Sequence, residues 1–196
     1  MCGGICGRVF WVSSVKQKTK VKRIDSDLFL GYVKSLFFDI PFDVYKVTAC
    51  VFIIGLVILI TLKGFRTGLR YSAKLLLIEY IFLLFCSTVI FRATGETRQY
   101  DFHPFWSYDR PDLLTENIMN VVVFIPVGMI LGSLLRVKGS STSEATKSMT
   151  WLMVAIIGCG ISVTIESLQF FFMRGFSELD DVMHNTVGCI FGIHHG

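Results

Sequence analysis

Long apolar runs decide what this chain can become. They lie at about Val47–Leu62, Tyr71–Phe91, Asn117–Leu135 and Met149–Phe172, and a shorter one follows at Val182–His195. A run of about twenty apolar residues matches the hydrocarbon core of a bilayer, where a helix satisfies all its own backbone polar groups. The composition agrees, with 53% hydrophobic and 17% charged residues and a mean hydropathy of +0.60 over 196 residues. A soluble domain carries about a quarter of charged residues. The expected fold is all-α, a polytopic transmembrane helical bundle of about four to five membrane segments.

Residues 1–46 read as a basic and amphipathic arm, and residues 47–196 as the transmembrane domain. Lys16, Lys18, Lys20, Lys22 and Arg23 form the basic run of the arm. Leu28–Phe42 is interrupted by Lys34, Asp39 and Pro41, so it suits the membrane surface better than a span. The net charge of +4 sits in particular loops, a topology signal rather than a nucleic-acid footprint. The basic loops Lys63–Lys74 and Arg136–Lys147 are expected in the cytoplasm. Arg92–Glu116 and Arg174–Asp181, acidic on balance, are expected outside. These assignments agree with strict alternation; the basic arm, which alternation places outside, does not. Cys50, Cys86, Cys159 and Cys189 lie in apolar runs, where a thiol acts as a small hydrophobe. Cys2 and Cys6 lack the further ligands zinc needs, and no apolar leader precedes them. No metal or cofactor is expected.

The functional signal is the polar set inside and beside the apolar runs. Glu166 and Gln169 lie three apart near the outer end of one run, on one helical face. Ionisable residues at such a depth are costly and face a partner or a wet cavity. Asn117 and Asn120 open another run at the same side, with Glu116 beside them. Asp180, Asp181 and Asn185 open the last segment, and Arg174 lies in the connecting turn with reach to both aspartates. Asn117, Asn120, Glu166, Gln169, Arg174, Asp180, Asp181 and Asn185 are therefore the expected ligand-binding set. Gly128/Gly132 and Gly188/Gly192 have the small-residue spacing that lets two membrane helices approach. Asp181 and His184 are spaced like a metal pair, but two ligands do not make a site. Glu79 lies near Lys74 and suits an ion pair with it.

Three blocks resemble the VanZ-like family of bacterial membrane proteins. FHPFWSY is similar to the family's outer-loop block but keeps only Pro104–Phe105 of its Asn-Leu-x-Pro-Phe pattern. ENIMNVVVFIPVGMILG is similar to its Asn…Phe-Ile-Pro-x-Gly helix, through Asn120, Phe124, Pro126 and Gly128. IESLQFFFMRGFSELDDVMHNTVGCIFG resembles its Glu-x-x-Gln…Asp-Asp-x-x-x-Asn-Thr-x-Gly hairpin, through Glu166, Gln169, Arg174, Asp180, Asp181, Asn185, Thr186 and Gly188. The resemblance implies an inner-membrane protein linked to glycopeptide resistance, teicoplanin in particular, with no agreed chemistry. Two functions fit. The first is a non-enzymatic envelope protein that binds membrane lipids, a lipid-linked cell-wall precursor or a lipoglycopeptide. The second is a membrane-embedded enzyme acting on an envelope lipid, with Glu166 as general acid or base and Asp181 as its charged partner. The lack of an evident nucleophile or metal set favours the first.

Overall fold

A computed structural model of the chain describes residues 40–110, 113–135 and 144–195. Its elements run α1 (Phe42–Lys63), α2 (Phe65–Phe85) prolonged by a π-helical turn (Cys86–Ile90), β1 (Gln99–Asp101), a 3-10 turn (Trp106–Asp109), α3 (Leu114–Leu135), α4 (Glu144–Phe172), β2 (Phe176–Glu178) and α5 (Leu179–His195). The architecture is all-α. Phe42–Lys63, Phe65–Ile90, Leu114–Leu135 and Lys147–Phe172 are each long and apolar enough to cross a membrane. The 17-residue α5 is not among them and packs within the bundle, chiefly on α3 and α4. Residues 1–39, which hold the basic run, Cys2, Cys6 and most of Leu28–Phe42, lie outside the described residues, as do residues 136–143 of the expected linker. Helix α1 begins at Phe42 and so takes in the last residues of the expected arm.

The basic stretch Lys63–Lys74 is not a loop. Gly64 alone turns the chain, at φ 75, and its amide donates to the Ile60 carbonyl at 2.9 Å. A left-handed residue of this kind ends a helix cheaply only when it is glycine. Lys63, Arg66 and Lys74 therefore lie on the end of α1 and the first turns of α2. Lys74 stands over the Tyr71 ring at 5.2 Å rather than pairing with Glu79, whose Oε1 is buried without a hydrogen-bond partner among the described residues. Helix α1 buries none of its residues and packs on α2.

The core is a close pairing of α3 with α5, flanked by α4 and α2. A Cβ on Gly128 would strike the Cys189 carbonyl, with the carbonyl carbon at 2.7 Å, and one on Gly192 would reach the Met129 nitrogen at 2.7 Å. Helix backbones meet this closely only where both carry small residues. Val127, Val154 and Cys189 are fully buried around the crossing. Pro126 lies inside α3, and the Tyr80 hydroxyl of α2 donates to the neighbouring Val123 carbonyl at 2.8 Å. The two connections at the other end, 92–113 and 173–178, are tied by a parallel β1–β2 pair, with Gln99 opposite Phe176, Tyr100 opposite Ser177 and Asp101 opposite Glu178. Three-residue strands of this kind carry no periodic signal in the sequence.

Candidate functional site

At the end of the bundle that carries β1 and β2, Asp180 holds the loop over α5. It is fully buried in the first turn of α5, where the helix dipole favours a negative charge. Its carboxylate accepts the Phe105 amide at 2.6 Å, the Ser107 amide at 3.0 Å and the Ser107 hydroxyl at 2.6 Å. Asn117 donates in turn to Ser107 Oγ at 3.1 Å. Phe105 is held at φ 67, a left-handed conformation that a bulky residue adopts only when its surroundings impose it. Burial opposes the charge on Asp180, but the bonds from Ser107 and Phe105 outweigh it and hold the carboxyl below its ordinary range. Next to it, Tyr108 Oη and His184 Nε2 lie 2.9 Å apart. His184 is thus engaged with a phenol of the loop.

Inward from this loop, α2, α3, α4 and α5 enclose a cavity of about 170 Å³. Its polar wall consists of Ser87, Thr88, Arg92, Glu116, Asn120, Glu166, Gln169, Asp181 and Asn185, and Leu84, Val123, Phe124 and Ile165 line the rest. Four of these groups are fixed by hydrogen bonds within the bundle. Asn120 Nδ2 donates to Asp181 Oδ1 at 2.7 Å, and Glu166 Oε2 accepts the Glu178 amide at 3.0 Å. Gln169 Nε2 donates to the Thr88 carbonyl at 3.2 Å, and Asn185 Nδ2 to Ser162 Oγ at 2.8 Å. Thr88 belongs to the π-helical turn, where the shifted bonding pattern makes a carbonyl available to another helix. The Gln169 orientation follows from this contact, because a carbonyl only accepts. Its Oε1, and Asn185 Oδ1, are buried on the wall with no partner among the described residues.

Two acids of this region, Asp181 and Glu178, resist ionisation. Burial, reinforced by Glu116, raises Asp181 to about 7. Burial, reinforced by Asp181, raises Glu178 to about 8 just outside the cavity. The cavity's cation is Arg92. Its guanidinium lies against Gly175, where a Cβ would stand 2.5 Å from Nε, and its charge reaches Glu166 and Asp181. The guanidinium forms no hydrogen bond or ion pair to any described residue.

Asn120, Glu166, Gln169, Asp181 and Asn185 thus share one cavity, while three other expected residues stand elsewhere. Asp180 and Asn117 fasten the outer loop. Arg174 does not reach either aspartate; Nη1 donates to the carbonyls of Ile90 at 3.2 Å and Arg92 at 2.6 Å. The reason is local: α2 ends beside the turn after α4, and its last carbonyls are closer than α5. Arg92, Thr88, Ser162 and Glu178 were not legible as members of the site. Arg92 had one weak signal, the glycine after Arg174 that leaves room for it.

A family model described as VanZ/LLP1 matches residues 47–194. The chain belongs to this family. Its match covers every residue of the cavity and of the Asp180 contacts. Neither the curated proteins nor the solved structures contain a match to it. This VanZ/LLP1 family chain is a membrane protein by both its family and its four apolar helices.

Proposed function

We propose that this VanZ/LLP1 family protein sits in the bacterial inner membrane and binds, without turnover, the polar head of an amphipathic envelope molecule in its cavity. The ligand is a membrane lipid, a lipid-linked cell-wall precursor or a lipoglycopeptide, and holding it lowers the action of teicoplanin-type antibiotics. One observation carries the reading: Gln169, a side chain 2% exposed, lines the cavity, and its buried Oε1 has no hydrogen-bond partner among the described residues. An unmet buried acceptor costs about 1–3 kcal/mol, which a bound donor removes. The cavity is small. At about 170 Å³ it resembles an engineered 150 Å³ cavity in another protein that takes one benzene ring, so only a compact head enters and the rest stays outside.

A second reading is supported by Glu166 and Asp181, two carboxyl groups on one cavity wall. Such a pair suits general acid–base work on an envelope lipid. One experiment addresses both. The protein is produced in a teicoplanin-susceptible bacterium, and the inhibitory concentration is measured for wild type, Glu166→Gln and Gln169→Leu. Binding without turnover expects resistance with wild type, its loss in Gln169→Leu and a partial loss in Glu166→Gln, which keeps an acceptor oxygen but not the charge. Resistance abolished by Glu166→Gln, together with a lipid product formed by the purified protein, establishes the enzyme instead. No resistance from wild type removes the antibiotic link.

A further inference from the structure

The balance of charge and hydrogen-bonding capacity in the cavity says more about its occupant. Three carboxyl groups, Glu116, Glu166 and Asp181, meet one cation, Arg92. Two further acceptors, Gln169 Oε1 and Asn185 Oδ1, are unpartnered on side chains 2% and 5% exposed. The amide nitrogens of Asn120, Gln169 and Asn185 are all committed to protein acceptors. The hydroxyls of Ser87 and Thr88 both donate to the Leu84 carbonyl. With its carboxyls ionised, the state that a bound cation favours, the wall therefore offers acceptors and almost no free donors, with Arg92 as the exception. An occupant that matches it brings several donors of its own and one small anionic group.

From this we infer that the head group is a phosphoester bearing a primary ammonium, with its N–H donors toward Glu166, Asp181, Gln169 and Asn185 and its phosphate toward Arg92. The inference rests on the lipid-binding reading above and narrows it. A primary ammonium carries three N–H donors on one compact centre, which can be shared among the acceptors that converge from α4 and α5. The planar guanidinium presents parallel N–H donors to phosphate oxygens. Each rival head lacks one half of the match. A choline head has the positive charge but no N–H. A glycerol head has hydroxyl donors but no positive charge to offset the acids. A bare phosphate adds negative charge to a wall that already holds three acids.

The test uses the full chain in phosphatidylcholine nanodiscs, read by native mass spectrometry of retained lipid. Phosphatidylethanolamine, phosphatidylglycerol, phosphatidic acid and a neutral glucosyl diacylglycerol are added in turn. The expected result is phosphatidylethanolamine retained about tenfold better than phosphatidylcholine and ahead of the other three. Arg92→Gln should lower retention of phosphatidylethanolamine and phosphatidic acid alike, with Arg92→Lys recovering part of it. Gln169→Leu should erase the preference for ethanolamine over choline while leaving phosphatidic acid unchanged. Soluble O-phosphoethanolamine should compete only weakly; competition as strong as the lipid's overturns a membrane source. Phosphatidylglycerol or the glucolipid in the lead overturns the ammonium assignment and leaves lipid binding standing. If no lipid exceeds phosphatidylcholine, the lipid-binding reading falls as well.

Discussion

Asp180 is the residue whose removal should be felt most. Its side chain is fully buried and receives the Phe105 amide, the Ser107 amide and the Ser107 hydroxyl. A hydrogen bond to a charged group is worth about 1.5–3 kcal/mol, and buried donors left without an acceptor add their own penalty. The three bonds are coupled through one carboxylate, so their values do not add in full. Asp180→Ala is expected to cost about 3–6 kcal/mol, a fall in melting midpoint on the order of 10 °C for a chain of this length. Asp180→Asn keeps the shape but turns one accepting atom into a donor, and should lose roughly half as much. The assay is thermal unfolding in detergent, paired with limited chymotrypsin digestion. Tyr100, Phe102, Phe105, Trp106 and Tyr108 put cleavage sites in the loop that Asp180 holds. Faster cutting between 100 and 108 should accompany the lower midpoint. An Asp180→Ala protein that melts with wild type and resists digestion equally would refute the assignment of Asp180 as the loop's anchor.

Gly188→Ala should destabilise the bundle by about 1–3 kcal/mol, because the new methyl would meet the Val121 carbonyl and, at 3.0 Å, Phe124 Cβ. Gly160→Ala, with nothing within 4 Å of the added carbon, is the control, and equal melting of the two variants contradicts the α3–α5 contact. Glu178 predicts a pH dependence: burial first, then Asp181, raises it from an ordinary 4.5 to about 8. The folded state then binds the proton more tightly than the unfolded one, so this stabilisation is complete below about 4.5 and is lost as pH rises through about 8. Glu178→Gln should flatten the fall of the melting midpoint across that range, and an unchanged slope refutes it. Arg174→Ala should lower stability and lipid retention together, because its bonds to the Ile90 and Arg92 carbonyls fix the residue that faces the cavity. Retention lost with stability intact would make Arg174 a ligand contact instead.

The membrane helices were legible in the sequence because burial in lipid demands unbroken apolar runs, and their ends shifted by only a few residues. The α1–α2 turn was not. Four cations between Lys63 and Lys74 read as a loop, whereas Gly64 lets the helices reverse within one residue. The approach of α3 to α5 was visible in Gly128, Gly132, Gly188 and Gly192, since small residues four apart leave one mark in sequence and structure alike. Five of the expected residues line the cavity, because acids and amides inside apolar runs are costly and therefore conspicuous. Arg92, Asp180 and Arg174 were harder. Arg92 and Arg174 lie just outside helices and Asp180 in the first turn of one, where polar residues are ordinary, and only the β1–β2 pairing and the turn at Gly175 decide which partner each one meets.

The central claim is that the cavity holds a head group. The protein is purified in mild detergent from bacterial envelope membranes, and its bound lipids are identified by mass spectrometry against the composition of the source membrane. Ser87→Phe serves as comparison, because Ser87 lines the cavity and its hydroxyl bonds only the Leu84 carbonyl of its own helix, so the ring fills the space. The expected result is one lipid class enriched on wild type and lost from Ser87→Phe at equal thermal stability. Bound lipid that mirrors the source membrane in both proteins would contradict the claim.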